Sequence, residues 1–235
     1  MAVLLPGTGS DEVFVRSVFE IPLAAVGVRA LTPRPEPGPG LADALLAALD
    51  RAGEESTPGA VLAGGISFGA HLAAEWALRN PERCAGLLLA LPAWNGPPDA
   101  DSPAARSARL GADTVRADGV EAALRTVTRS VDPWLGTELS RAWRGYGDGL
   151  ADSLLAAADR PAPTLAELAG LGIPVGVAGC TDDAVHPVSV AKAWTRAIPR
   201  AALCTTRLDI IGADPEALGR AAVLAWLRAG GRSRA

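Results

Sequence analysis

The chain has 235 residues, of which 49% are hydrophobic and 20% are charged, and its formal net charge is −4. That length suits one large α/β domain, and the composition excludes a disordered or repeat protein. The negative charge argues against nucleic acid as a partner.

Cysteine usage and the N-terminus indicate the class of environment. Cys84, Cys180 and Cys204 lie in or beside apolar runs without a metal-ligand spacing, which predicts buried reduced thiols and no bound metal. Residues 1–7 have no basic segment, their apolar run is too short for a signal peptide, and nowhere do 18 apolar residues follow one another. We therefore expect a soluble cytoplasmic protein that does not interact with membranes.

The N-terminal part of the chain alternates short apolar runs with helical patterns. Residues 1–5 predict a strand that ends in the glycine-rich loop 6–11, where Ser10 or Asp11 should cap a helix. The elements expected next are a helix over 11–25, a strand over 28–32, a proline-rich connection over 33–40 and a helix over 41–51 that Gly53 should end.

The stretch 60–77 changes from an apolar run to a helical pattern at the residues Gly65, Ile66, Ser67, Phe68 and Gly69. A serine flanked in this way by two glycines can occupy a strained strand-to-helix turn, because the glycines lack the Cβ atoms that would collide there. Such a turn is a nucleophile elbow, and it would present Ser67 at a helix N-terminus, where partial positive charge favours an anion. The alternative is a tight turn with a solvated serine.

The remaining chain continues the alternation around one long interruption. Residues 84–91 are continuously apolar, as in a parallel strand buried on both faces. The strand and helix pattern loosens over 92–170, which predicts a helical insertion over about 97–170. The later elements are a strand over 173–179, a helix around 191–197, a strand over 202–206 and a closing helix over 215–229. This alternation predicts a mostly parallel sheet covered by helices on both faces.

Four segments, in the right order, resemble those of the α/β-hydrolase fold family. They are a glycine-rich oxyanion loop at 6–9, the elbow at 65–69, an acid loop at 179–187 and the opening of the last helix at 214–216. The resemblance covers nearly the whole chain. Because the chain begins at what would be the family's third strand, the resemblance implies a trimmed α/β-hydrolase fold, a single domain over 1–235 with a helical lid insertion.

The resemblance also implies a catalytic triad in the order serine, acid, histidine. Ser67 is the expected nucleophile, and the acid is Asp183 or its neighbour Asp182, of which Asp183 is favoured. The backbone N–H groups of Thr8 and Phe68 are the expected oxyanion-hole donors.

The histidine of the triad departs from the family pattern. The family's base should fall near Leu208, yet the expected loop over 207–213 contains no histidine, and the chain has two in total. His71, one turn after Ser67, is expected to be a packing or hydrogen-bonding residue. His186, beside the acid loop, is a candidate for general base, for substrate hydrogen-bonding or for a simple loop residue. A base must come within about 2.6–3.2 Å of the serine hydroxyl, or reach it through one water.

Aromatic residues in and before the insertion are candidate walls of a substrate pocket, because pockets are mostly apolar and aromatic side chains supply large contact area. The alternative is packing between the insertion and the sheet. No dinucleotide or phosphate loop is visible, so we expect no cofactor. The candidate substrate-binding residues are Trp94, Trp134, Trp143 and Tyr146.

Two functional hypotheses follow from the resemblance. The first is a hydrolase that acts on a small ester, thioester or lactone through Ser67, with an atypical or incomplete triad. The second is a binding protein or non-hydrolytic enzyme that has kept the fold and lost the base, because removing the base from a triad costs about 10⁶ in rate. The sequence leaves the oligomeric state open.

Overall fold

A computed structural model describes residues 1–57, 61–99 and 101–232. Within those ranges six strands form one sheet in the order β2-β1-β3-β4-β5-β6, and every neighbouring pair is parallel. The strands are β1 Ala2–Leu5, β2 Ala30–Leu31, β3 Val61–Ile66, β4 Cys84–Ala90, β5 Val175–Cys180 and β6 Ala201–Thr206. The parallel sheet predicted from the sequence is confirmed.

The helices connect the strands and cover both faces of the sheet. They are α1 Glu12–Ala24, α2 Leu41–Glu55, α3 Phe68–Arg79, α4 Pro103–Asp118, α5 Val120–Val127, α6 Pro133–Tyr146, α7 Leu150–Asp159, α8 Leu165–Leu168, α9 Val188–Ala197, α10 Leu208–Ala213 and α11 Glu216–Arg228. A short 3₁₀ turn, Gly147–Gly149, joins α6 to α7.

Strand β1 illustrates how one apolar run serves two cores. All four of its residues are buried, and alternate side chains of a strand point to opposite faces. Val3 and Leu5 join the core packed by α2, α3, α9 and most of the helices between β4 and β5. Ala2 and Leu4 join the core packed by α1 and α11. Burial on both faces explains why the strand reads as a continuous apolar run.

The order of the strands reverses between β1 and β3, because the chain goes from β1 outward to β2 and then returns to the other side of β1. Ligands of open α/β sheets bind outside the carboxyl ends of the strands at such a reversal. The loop after β1 and Ser67 after β3 both lie at this edge of the sheet.

Three local predictions were wrong, each for a physical reason. The strand expected over 28–32 is only Ala30–Leu31, because the Val28 N–H donates to the Leu23 carbonyl in the turn that ends α1. Helix α2 continues past Gly53, where a Cβ would lie 3.2 Å from Trp76, so this glycine permits close helix packing. The segment 207–213, expected to be a loop, contains helix α10.

Helices α4 to α8 all lie between β4 and β5, in the region where a helical insertion was expected. Residue 100, which falls in that region, lies outside the described residues. Helices α4 and α7 pack together and are joined by the ion pairs Arg109–Asp159 and Arg116–Asp152. In the described part of the chain, no helix has both the length and the apolar character that crossing a bilayer requires.

Candidate active site

Ser67 occupies a sharp turn between β3 and α3. Its φ of 54° and ψ of −115° are rare for a residue with a side chain, and strain of this kind tends to cluster at functional sites. The Ser67 N–H donates to the Ala90 carbonyl in β4, at 2.8 Å. The Ser67 carbonyl accepts from the N–H groups of Ala70 and His71 and so closes the first turn of α3. The turn is therefore fixed from both ends.

The two flanking glycines are required by the space around the turn. A Cβ at Gly65 would lie 2.5 Å from the Leu5 carbonyl oxygen and 2.7 Å from the carbonyl carbon of Gly69. A Cβ at Gly69 would overlap the same Leu5 oxygen and lie 2.7 Å from the Pro6 oxygen. Only glycine allows the end of β1 to pass this close to the elbow.

The glycine-rich loop 6–11 starts directly above the elbow, and it is called the oxyanion loop below because its residues 6–9 carry the predicted oxyanion-hole donor Thr8. A Cβ at Gly7 would lie 3.2 Å from the Ile66 oxygen and 3.4 Å from the Ser67 Cβ. The Ser10 N–H donates to the Gly7 carbonyl, which folds the loop into a tight turn around Thr8. Phe68 begins α3, so its N–H is one of the helix's first amides, which have no partner within the helix.

The acid loop brings a histidine to Ser67. The Nε2 atom of His186 lies 2.9 Å from the Ser67 Oγ, and its Nδ1 atom lies 2.8 Å from an Asp183 carboxylate oxygen. Because a carboxylate only accepts hydrogen bonds, Nδ1 carries the proton of the neutral ring and Nε2 is free to accept one. This arrangement has the geometry of a nucleophile, a base and an orienting acid.

Asp183 holds both the loop and the imidazole. Its Oδ1 accepts from the backbone N–H groups of Val185 at 2.8 Å and His186 at 3.0 Å, while Oδ2 accepts from the His186 ring. Burial alone would raise the pKa of Asp183, but these hydrogen bonds and the attraction to His186 outweigh it and hold that pKa below its usual value. The carboxylate is therefore ionised at neutral pH.

Asp182, the alternative acid, faces elsewhere. Its Oδ1 accepts the backbone N–H of Leu208 at 2.9 Å, and its Oδ2 lies 3.4 Å from the Arg207 guanidinium. The position where the family resemblance placed the base thus begins α10, with its first N–H capped by Asp182. Of the two neighbouring carboxylates, it is Asp183 that contacts His186.

His71 contacts the segment that follows β4. It is buried, and its Nε2 accepts the backbone N–H of Ala93 at 2.9 Å. Burial, and to a lesser extent the charge of His186, lower the pKa of His71 to about 3, so the ring is neutral. Trp94 packs edge-on against it, with ring centroids 4.6 Å apart.

A second strained turn lies beside the elbow and was not predicted. Leu91, directly after β4, has a φ of 52°, and its N–H donates to the Ala178 carbonyl of β5. Leu91 lies next to Ser67 across the strand pair, because Ile66 is in register with Ala90. No sequence signal marks this turn, since glycine or asparagine usually occupies such a conformation.

The other three aromatic candidates lie on α6. The Tyr146 hydroxyl donates to the Ser10 carbonyl at 2.9 Å, and Trp143 lies against Gly9, so both contact the oxyanion loop. Trp134 instead stacks on Phe14 of α1, with centroids 6.3 Å apart, and touches Gly212 of α10. A direct role for these residues or for Trp94 in substrate binding stays a prediction.

Comparison with known proteins defines the fold. No protein-family model and no curated protein matches this chain. Among solved structures, a thermophilic esterase from Thermogutta terrifontis is similar, with 22% identity over 98% of this chain and 90% of its own, at a TM-score of 0.71. The enol-lactonase from Burkholderia xenovorans LB400 is 17% identical over 96% of this chain and 90% of its own, at a TM-score of 0.70. A hydrolase from Pseudomonas aeruginosa is 21% identical over 96% of this chain and 89% of its own, at a TM-score of 0.66.

These structures and the parallel sheet lead to one conclusion about the architecture. The chain has the α/β-hydrolase fold, as the four segments of the sequence predicted. Because a fold hosts many functions, the activity has to be argued from the site itself.

Proposed function

We propose that this protein is a serine hydrolase of small carboxylic esters, thioesters or lactones. The observation that carries the proposal is the 2.9 Å separation between the Ser67 Oγ and the His186 Nε2, within the range that direct proton transfer requires. The esterase and lactonase activities of proteins with similar structures agree with this substrate class.

The residues divide the chemistry as follows. His186 Nε2 takes the proton of Ser67 as the Oγ attacks the substrate carbonyl, and Asp183 stabilises the imidazolium that forms. The backbone N–H groups of Thr8 and Phe68 stabilise the oxyanion of the tetrahedral intermediate. His186 then gives its proton to the leaving alkoxide, thiolate or, for a lactone, the ring oxygen. Water repeats the sequence on the acyl-enzyme and releases the acid.

The binding-protein alternative rests on the absence of a histidine near Leu208. A base supplied from the acid loop would answer that argument, because Asp183 and His186 are only three positions apart and lie on one turn. We also propose that helices α4 to α8 form the helical insertion and cover the substrate. The insertion and the sheet then belong to a single domain over residues 1–235.

Two measurements test the proposal. A fluorophosphonate probe should label Ser67 stoichiometrically in the folded protein, because labelling needs an activated serine. On a short-chain activated ester, Ser67→Ala and His186→Ala should each lose about 10⁶ in kcat, and the double variant should lose little more, since residues that act as a unit are non-additive. Ser17→Ala, on the exposed side of α1, is the matched control and should keep parental activity.

Two outcomes would contradict parts of the proposal. A protein that is neither labelled nor active on any short ester, thioester or lactone supports the binding-protein alternative. Full activity in His186→Ala, together with dependence on Ser67, would mean that another group activates the serine.

A further inference from the structure

The outer side of the oxyanion loop is held by helix α6. The Nε and Nη2 atoms of Arg141 donate to the two carboxylate oxygens of Asp11, each at 2.8 Å, which makes a bidentate pair. The Asp11 side chain is only 13% exposed. Burial would raise its pKa, but Arg141 and two backbone N–H groups together lower it, so Asp11 is ionised at neutral pH. Glu138, one turn earlier on α6, also accepts from Arg141.

Two further side chains of α6 contact the preceding residues of the loop. Tyr146, which is buried, donates its hydroxyl to the Ser10 carbonyl. Trp143 fills the space beside Gly9, because a Cβ at Gly9 would lie 2.8 Å from its Nε1. Gly9 also has a φ of +65°, so both its backbone conformation and the nearby indole require glycine.

The same carboxylate fixes the end of the loop to α1. The Oδ1 of Asp11 accepts the N–H groups of Val13 at 3.1 Å and Phe14 at 3.0 Å, which caps that helix. Three successive residues, Gly9 to Asp11, are thus each held by α6, and the last is held by α1 as well.

Thr8 lies between two glycines, which have the largest backbone freedom of all residues. From the contacts above we propose that α6 positions the oxyanion loop, and that Arg141, Trp143 and Tyr146 thereby aim the Thr8 N–H at the developing oxyanion. The inference rests on the proposed function. In this role the three residues are positioning residues, because they act through the loop.

Helix α6 supplies its own control for the test. Arg144, one turn later, makes a second bidentate pair, donating to Glu121 at 2.7 and 2.9 Å. That pair joins α6 to α5 and does not involve the oxyanion loop. Arg141→Met and Arg144→Met therefore remove the same kind of interaction from the same helix, one with the loop and one without it.

The informative readout compares an ester with its thiono analogue, in which sulfur replaces the carbonyl oxygen. Sulfur accepts hydrogen bonds weakly, so the thionoester gains little from the oxyanion hole and the oxygen ester gains the full interaction. Arg141→Met should lower kcat/KM for the oxygen ester by about 10- to 100-fold, as for a misplacement of about 1 Å. The loss should fall in kcat with KM changed little, and the thionoester should be affected several-fold less.

Graded variants separate positioning from general loss of structure. Arg141→Lys keeps the charge without the bidentate fork and should recover part of the activity. Tyr146→Phe should show the same ester-to-thionoester signature with a smaller loss. Equal losses on both substrates, or a loss in Arg144→Met equal to that in Arg141→Met, would overturn the proposal.

Hydrogen exchange distinguishes failure of this inference from failure of the proposed function. In Arg141→Met, the backbone amides of residues 7–11 should exchange at least about 10-fold faster than in the parent, because the contacts that hold the loop are lost, and Arg144→Met should match the parent. If exchange is faster only in Arg141→Met and the parent protein has no hydrolase activity, helix α6 positions the loop and the proposed hydrolase function is wrong. If Arg141→Met shows unchanged exchange and full activity, the proposal that α6 positions the loop is wrong, whereas the proposed hydrolase function is unaffected.

Discussion

Replacing Asp183 by asparagine should separate its two roles, because its two oxygens have different partners. Oδ1 accepts two backbone N–H groups, from Val185 and His186, and Oδ2 accepts the ring Nδ1–H. In Asp183→Asn the amide oxygen keeps the two backbone bonds, and the loop stays folded. The amide NH₂ then faces Nδ1 and favours the tautomer with the proton on Nε2, so the ring can no longer accept the serine proton.

The expected size of the effect follows from that tautomer change. An equivalent change in a serine triad costs about 10⁴ in kcat, which corresponds to about 5.4 kcal/mol of transition-state stabilisation. The assay is kcat and KM on an activated short-chain ester, with the urea midpoint of the same sample as the check on folding. Asp182→Asn is the matched control, because that side chain caps Leu208 and does not contact His186.

Two results would refute this reasoning. If folded Asp183→Asn keeps a tenth or more of the parental kcat, Asp183 does not set the tautomer of the base. If Asp182→Asn loses as much as Asp183→Asn, the assignment of the acid from their contacts is wrong.

Two further predictions concern stability. Gly69→Ala should lower the free energy of unfolding by about 1–3 kcal/mol and Tm by several degrees, because its Cβ would overlap the Leu5 carbonyl. Gly145→Ala, in open space on α6, should leave the free energy of unfolding unchanged or raise it by up to about 1 kcal/mol. Equal Tm values for the two variants would contradict this prediction. Unfolded His71 binds a proton below about pH 6.5 and folded His71 only below about 3, so stability should fall on acidification between these values by up to about 1.4 kcal/mol per pH unit. In His71→Gln the amide oxygen can still accept from the Ala93 N–H, so the urea midpoint should depend less on pH between pH 6 and 4 than in the parent. The same pH dependence in both proteins would exclude His71 as the cause.

The sequence predicted the features that depend on local chemistry. The strand before Ser67 and the helix after it were predictable because a buried parallel strand is continuously apolar and because Gly65 and Gly69 have a steric reason to be glycine. The same reasoning failed at Gly53, where glycine serves close helix packing. Both uses of glycine look alike in a single sequence.

The sequence could not predict features that depend on distant residues meeting in space. The pairing of Asp11 with Arg141 joins positions 130 residues apart. The sequence marked Asp11 as a candidate helix cap, but it carried no signal that would pair it with Arg141. The turn at Leu91 is held by neighbouring strands against the preference of leucine. The choice between Asp182 and Asp183 depended on which way each side chain points, and adjacent residues of an irregular loop carry no periodicity that would indicate it.

The absence of a histidine near Leu208 has a different meaning once the two aspartates are compared. Asp182 turns toward α10 and caps its first N–H, while Asp183 turns toward His186. In the proposed mechanism the acid and base therefore come from one loop, and their relative position depends on the two backbone bonds to Asp183 Oδ1. The segment after β6 then needs no catalytic residue, and helix α10 begins there at Leu208. An empty family position is evidence for a lost base only if no other loop can deliver an imidazole to the serine.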